Sequence, residues 1–220
     1  MGKSPSGFPR DSWDFVGGLS SPSKMPGYAY SLPASRCIVG SQLASIPGSV
    51  CSGCYALRGR YNFPNVQRAM HRRLAAISTP GWAHHMAILI NAAHSNGDIY
   101  FRWHDSGDLQ GEDHLGKIVE VAMATPGVQH WLPTRETAIV QKFLHAGGNF
   151  PFNLTVRIST HMIDDPPPSG VSLPYVTSTV HTNAQMSGSY FCPARNENNT
   201  CGNCRACWDR RIQNVSYPKH

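Results

Sequence analysis

The chain has 220 residues, 40% of them apolar and 15% charged, a balance that suits one sizeable folded domain and excludes wholesale disorder. The formal charge is +6, so contact with nucleic acid is allowed, yet no apolar run reaches the ~18 residues of a membrane span. The first residues, MGKSPSGFPRDSWDF, lack the apolar core of a signal peptide. The expected compartment is therefore the cytoplasm.

Residues 1–36 are rich in Gly, Ser and Pro without a period and read as an extended N-terminal arm. A cysteine-bearing loop, Cys37 to Cys54, follows. Two amphipathic helices come next, each with a proline near its first turn. PNVQRAMHRRLAAIS aligns Val66, Met70, Leu74 and Ile77; PGWAHHMAILINAAH aligns Trp82, Met86, Leu89, Ile90 and Ala93. His71, His84 and His85 fall on these helices and read as surface residues.

From residue 98 the pattern alternates. DIYFRWH, VQHWLPT, FNLTVRIST and VSLPYVTSTV are β-prone. EDHLGKIVEVAMA, with Leu115, Ile118, Val119, Ala122 and Met123 on one side, and TAIVQKFLHAGG lie between them as helices. This order predicts an α/β fold with parallel βαβ units: a partial parallel β/α barrel, or a small open parallel sheet, with irregular cysteine-rich segments before and after it. The expected divisions are the arm 1–36, an α/β domain 37–181 with its cysteine loop, and a cysteine-rich segment 182–220 packed on it.

Seven cysteines bracket the α/β part. In a reducing compartment such clustering points to metal. Cys201, Cys204 and Cys207 follow one another at x2 spacing, which suits one side of a [4Fe–4S] cubane, with Cys192-Pro193 as a remote fourth ligand. Structural zinc is the alternative metal, and plain reduced thiols the third reading. Cys37, Cys51 and Cys54 form a second set. Whether the two sets make one centre or two stays open.

A second candidate site lies at predicted strand ends, where parallel sheets gather ligands. RWHDSGDLQ places His104 and Asp105 as catalytic candidates and Ser106, Gly107 and Asp108 as a cofactor-binding turn; capping of the next helix by Asp108 is the competing reading. Arg135, in LPTRE, would reach the same rim and hold a carboxylate or phosphate by its planar fork, and Arg157 and Ser159 end the next strand.

CSGCYA, RWHDSGDLQ, PTRE and CPARN…CGNCRACW together resemble the phage gene product 88 family, over about residues 30–208. A weaker likeness is to radical SAM iron–sulfur proteins, from Cys37/Cys51/Cys54 ahead of a β/α barrel, Ser106-Gly107-Asp108 at a strand end, and four cysteines after it. That likeness implies S-adenosylmethionine chelated by a three-thiolate cluster. Here, though, thirteen residues separate the first two cysteines instead of three. Two other classes stand beside it: a zinc-stabilised nucleic-acid-binding module, for which Arg205, Arg210 and Arg211 beside the cysteines speak, and a structural or host-interaction protein. The basic residues, including Arg68, Arg72 and Arg73, look scattered, with no aromatic-rich basic face. The substrate, small or macromolecular, and whether the chain is an enzyme stay open.

Overall fold

The computed structural model describes residues 4–168, 175–182 and 188–219. Its centre is a seven-stranded, all-parallel sheet in the order β1-β2-β3-β4-β5-β7-β6. The strands are β1 (Tyr28–Tyr30), β2 (Tyr100–Trp103), β3 (Gln129–Thr134), β4 (Leu154–Ser159), β5 (Val176–His181), β6 (Tyr190–Phe191) and β7 (Asn214–Pro218). The helices are α1 (Arg10–Val16), α2 (Ile38–Leu43), α3 (Pro64–Ile77), α4 (Trp82–Ser95), α5 (Glu112–Ala124) and α6 (Thr137–His145). The expected α/β class and parallel sheet are therefore found. Four strands were expected; three more (β1, β6, β7) come from the Gly- and Pro-rich ends, where single-sequence periodicity is silent because two- to five-residue strands show too few alternations. Residues 171–174 of the predicted strand VSLPYVTSTV lie outside the described residues.

A parallel sheet must be covered on both faces. On the first face, Phe101, Trp103, Leu132, Leu154, Val156 and Ile158 pack against the helices. The expected stripe of α4 is buried in full. In α5 the stripe is rotated: Met123 is 59% exposed, and Val121 and His114 are buried instead. Tyr30 joins β1, α1, α3 and α4: its hydroxyl accepts from Trp82 Nε1 (3.1 Å) and donates to the Val16 carbonyl (2.7 Å). Arg73 is no surface cation. It is buried, donating to the Gly18 and Leu19 carbonyls and to the Ser31 hydroxyl.

The second face is covered by the chain's own C-terminal segment. Trp131, Val215, Ala206, Cys207 and Trp208 form a separate core there. All six residues of β4 are buried as a result, including Thr155 and Arg157. The Arg157 guanidinium donates to five carbonyls, those of Cys207, Thr177, Ile212, Ala206 and Asp209, at 2.8–3.1 Å. It fastens the segment to the sheet and does not sit on a ligand rim.

Candidate functional site

At the end of β2 the chain pivots. His104 has φ +55°, a left-handed conformation uncommon outside glycine. The pivot turns its ring to the helix side, 5.3 Å from the His114 ring. Both His104 ring nitrogens are buried without a partner. Burial, and secondarily the charges of His114 and Arg102, push its pKa well below the ordinary value. The imidazole is thus neutral and apart from the ligand rim.

Asp105 points elsewhere. Its Oδ2 accepts from the Tyr61 hydroxyl (3.2 Å), Oδ1 lies 3.2 Å from the Ser20 hydroxyl, and its carbonyl accepts from the Tyr55 hydroxyl (2.5 Å). The two expected catalytic neighbours are therefore separated. Tyr55 and Tyr61, on short 3-10 turns Tyr55–Leu57 and Gly59–Asn62, were not singled out from sequence, because nothing local links them to a residue more than forty positions away.

Ser106, Gly107 and Asp108 form a tightly bonded turn. The Ser106 hydroxyl donates to the Leu32 carbonyl (2.8 Å), and Leu32 N–H donates back to the Ser106 carbonyl (2.8 Å). Gly107 has φ +83°, and a Cβ there would lie 2.5 Å from Leu32 Cβ. Gly107→Ala is expected to cost about 1–3 kcal/mol, from overpacking and a left-handed backbone together, read as a lower urea midpoint. Asp108 accepts from Thr134 Oγ1 (2.6 Å), Leu109 N–H (2.8 Å) and Arg135 N–H (2.9 Å). Burial nevertheless raises its carboxyl above the usual range. These bonds tie the β2 turn to the β3 turn.

Glu136 does similar work. Its Oε1 accepts the N–H groups of Ile38 (3.1 Å) and Val39 (2.8 Å) at the start of α2, which anchors the segment 37–63 above the carboxyl edge of the sheet. The sequence holds no sign of this, since the partners are nearly a hundred residues apart.

Two guanidiniums are left at this edge. Arg135 donates from Nε to the Thr160 carbonyl (3.3 Å). Half-buried Arg102 lies over the Trp131 ring at 4.5 Å and donates from one terminal nitrogen to the Met25 sulfur (3.0 Å). Its Nε is out of solvent and unpartnered. Neither arginine has an ion-pair partner among the described residues.

The expected metal centres are overturned. Among the described residues no three His, Cys, Asp or Glu side chains are grouped so as to hold a metal ion. The iron–sulfur, zinc and S-adenosylmethionine expectations for Cys37, Cys51, Cys54, Cys192, Cys201, Cys204 and Cys207 go with them. All seven are free thiols. Cys37 and Cys51 pack against Gly40, Cys207 lies 3.2 Å from the Tyr217 hydroxyl, and Cys204 lies 3.4 Å from that of Tyr190. Burial pushes the Cys37, Cys51, Cys192 and Cys201 thiols up, and that of Cys207 to about 12. A raised thiol pKa disfavours the thiolate, the form that a ligand or nucleophile takes.

The family model described as Gene product 88 matches residues 15–210, and the chain belongs to that family. No curated protein and no solved structure matches it. The comparisons give no support to the radical SAM likeness. No helix among the described residues is long and apolar enough to cross a membrane.

Proposed function

We propose that this gene product 88 protein binds a small anionic molecule at the carboxyl edge of β2 and β3, beneath the segment 37–63. The observation that carries this reading is Arg102. A guanidinium has five donors, and among the described residues this one donates a single hydrogen bond, to a thioether. Withdrawing an unpaired charge from water is costly, so such a group invites a counter-ion.

A carboxylate or phosphate across the free edge of Arg102 would complete its valence through a two-pronged, charge-assisted contact. Arg135, from the next strand, supplies a second cation on the same edge. Asp105, held between Tyr61 and Ser20, orients a donor group of the same ligand. The Ser106–Asp108 turn holds this edge in shape without touching the ligand.

Thermal unfolding with inorganic phosphate, adenosine monophosphate and succinate tests this. At least one should raise Tm, by about 5–10 °C at a hundredfold excess over Kd. Arg102→Gln should abolish the shift while leaving the far-UV spectrum unchanged. If none of the three anions moves Tm, or if Arg102→Gln leaves the shift intact, the reading fails.

A further inference from the structure

The charge of the chain is distributed unevenly. Residues 15–97 contain no Asp or Glu and seven Lys and Arg. The rest holds twelve basic against thirteen acidic residues, so the whole excess sits in this one stretch. In sequence these cations look scattered, but the fold gathers them.

The turns Tyr55–Leu57 and Gly59–Asn62 pack on the start of α3. Asn62 donates to the Leu57 carbonyl (3.1 Å), and Gln67, on α3, donates to the Tyr61 carbonyl (2.8 Å). Arg58, Arg60, Arg68 and Arg72 are all exposed on this continuous surface. Arg68 and Arg72 are one helical turn apart, on the same side of α3. None of the four has an ion-pair partner among the described residues. Between them stand large exposed side chains: Phe63 at 54%, Tyr55 at 46% and Leu57 at 42%. Five of the nine exposed large hydrophobics of the described residues fall between Ile38 and Phe63.

We infer that this outer surface of residues 55–72 binds single-stranded nucleic acid. Unpaired guanidiniums neutralise phosphates, and an exposed aromatic between them offers a stacking face that only an unpaired base can use. A duplex hides its base faces, which sets the single strand apart as the occupant. A lipid surface is disfavoured because the helix on this surface, α3, exposes no large apolar side chain to enter a headgroup layer. The surface is the outer side of the same turns whose Tyr61 reaches Asp105 at the Arg102 edge, but Arg58, Arg60 and Phe63 take no part in that edge, so the two sites fail separately.

The test is fluorescence anisotropy of the full chain with labelled oligothymidine of roughly 20 nucleotides, longer than the ~4–16 of common single-strand sites. Contact with four phosphates should weaken binding roughly 50-fold between about 50 and 200 mM salt. Phe63→Ala should weaken it about tenfold, the loss of one stacked base. The double variant Arg58→Glu/Arg60→Glu should weaken it more than about tenfold. A control of equal charge change, Arg10→Glu/Arg211→Glu, alters exposed cations elsewhere and should leave affinity nearly unchanged. The inference is overturned by absence of binding at low salt, by equal loss in the control, or by binding to phosphatidylserine vesicles in place of the oligonucleotide.

Discussion

Arg157→Met should destabilise the protein by about 3–5 kcal/mol, enough to lower Tm by roughly 10 °C or more. The side chain is fully buried and its five bonds reach four residues of the C-terminal segment and one of β5. Methionine fills much of the volume but removes a charged donor from five carbonyls, of which those of Ala206 and Asp209 keep a backbone N–H from the C-terminal segment, and a buried acceptor left without a donor costs its full desolvation. Arg157→Lys should recover little, because an ammonium has three donors in place of five. Urea unfolding gives the magnitude, and limited proteolysis locates it: residues 201–212 should become the first cleavage region. A loss under about 1 kcal/mol, or unchanged proteolysis, would show that the segment is held by apolar packing of Trp208 and Trp131 alone.

Acidification should cost nearly as much. His114 and His130 are buried, and desolvation lowers both from 6.5 to about 3. The sign follows from which state takes the proton. Below pH 6.5 the unfolded chain protonates these rings and the folded protein does not, so stability falls as pH drops through the window from 6.5 towards 3. Between pH 6.5 and 5 each ring should contribute a loss of ~2 kcal/mol. His104, lowered mainly by burial, acts in the same direction. Asp108 acts in the opposite one: its raised carboxyl takes up a proton in the folded state first and offsets part of the loss.

The local bonding agrees with neutral rings. The Thr125 hydroxyl donates to the Val121 carbonyl (2.7 Å) and so accepts from His130 Nε2 (2.8 Å), leaving Nδ1 as a bare acceptor. The His114 Nδ1 accepts from Gln110 N–H (3.3 Å). Urea midpoints at pH 7, 6 and 5 should therefore decline, and the double variant His114→Gln/His130→Gln should flatten the decline. A flat curve for the unaltered protein would mean that the rings are hydrated and charge at little cost.

Most helices and the central strands were legible because their signals are local. The stripe of Trp82, Met86, Leu89, Ile90 and Ala93 identified α4, and strand–helix alternation identified the parallel sheet. Met123 misled because the buried arc of α5 is rotated towards His114 and Val121, which carries position 123 out of it. The cysteines misled more. Their x2 spacing is what a cluster would use, but spacing does not say whether a thiol faces a metal or a neighbouring tyrosine hydroxyl. Asp108 looked like either a ligand contact or a cap, and its three donors come from two different turns.

By itself, then, the sequence determined the order of elements, the α/β class and the family, since periodicity and motif spacing act over a few residues. Tertiary structure alone decided how each polar valence is used. Glu136 caps a helix 98 and 97 positions away, Arg157 is consumed by carbonyls 20 to 55 residues on, and Arg102 keeps donors to spare. A hydrogen-bonding group is committed or free according to which backbone atoms converge on it, and that convergence exists only once the chain has folded.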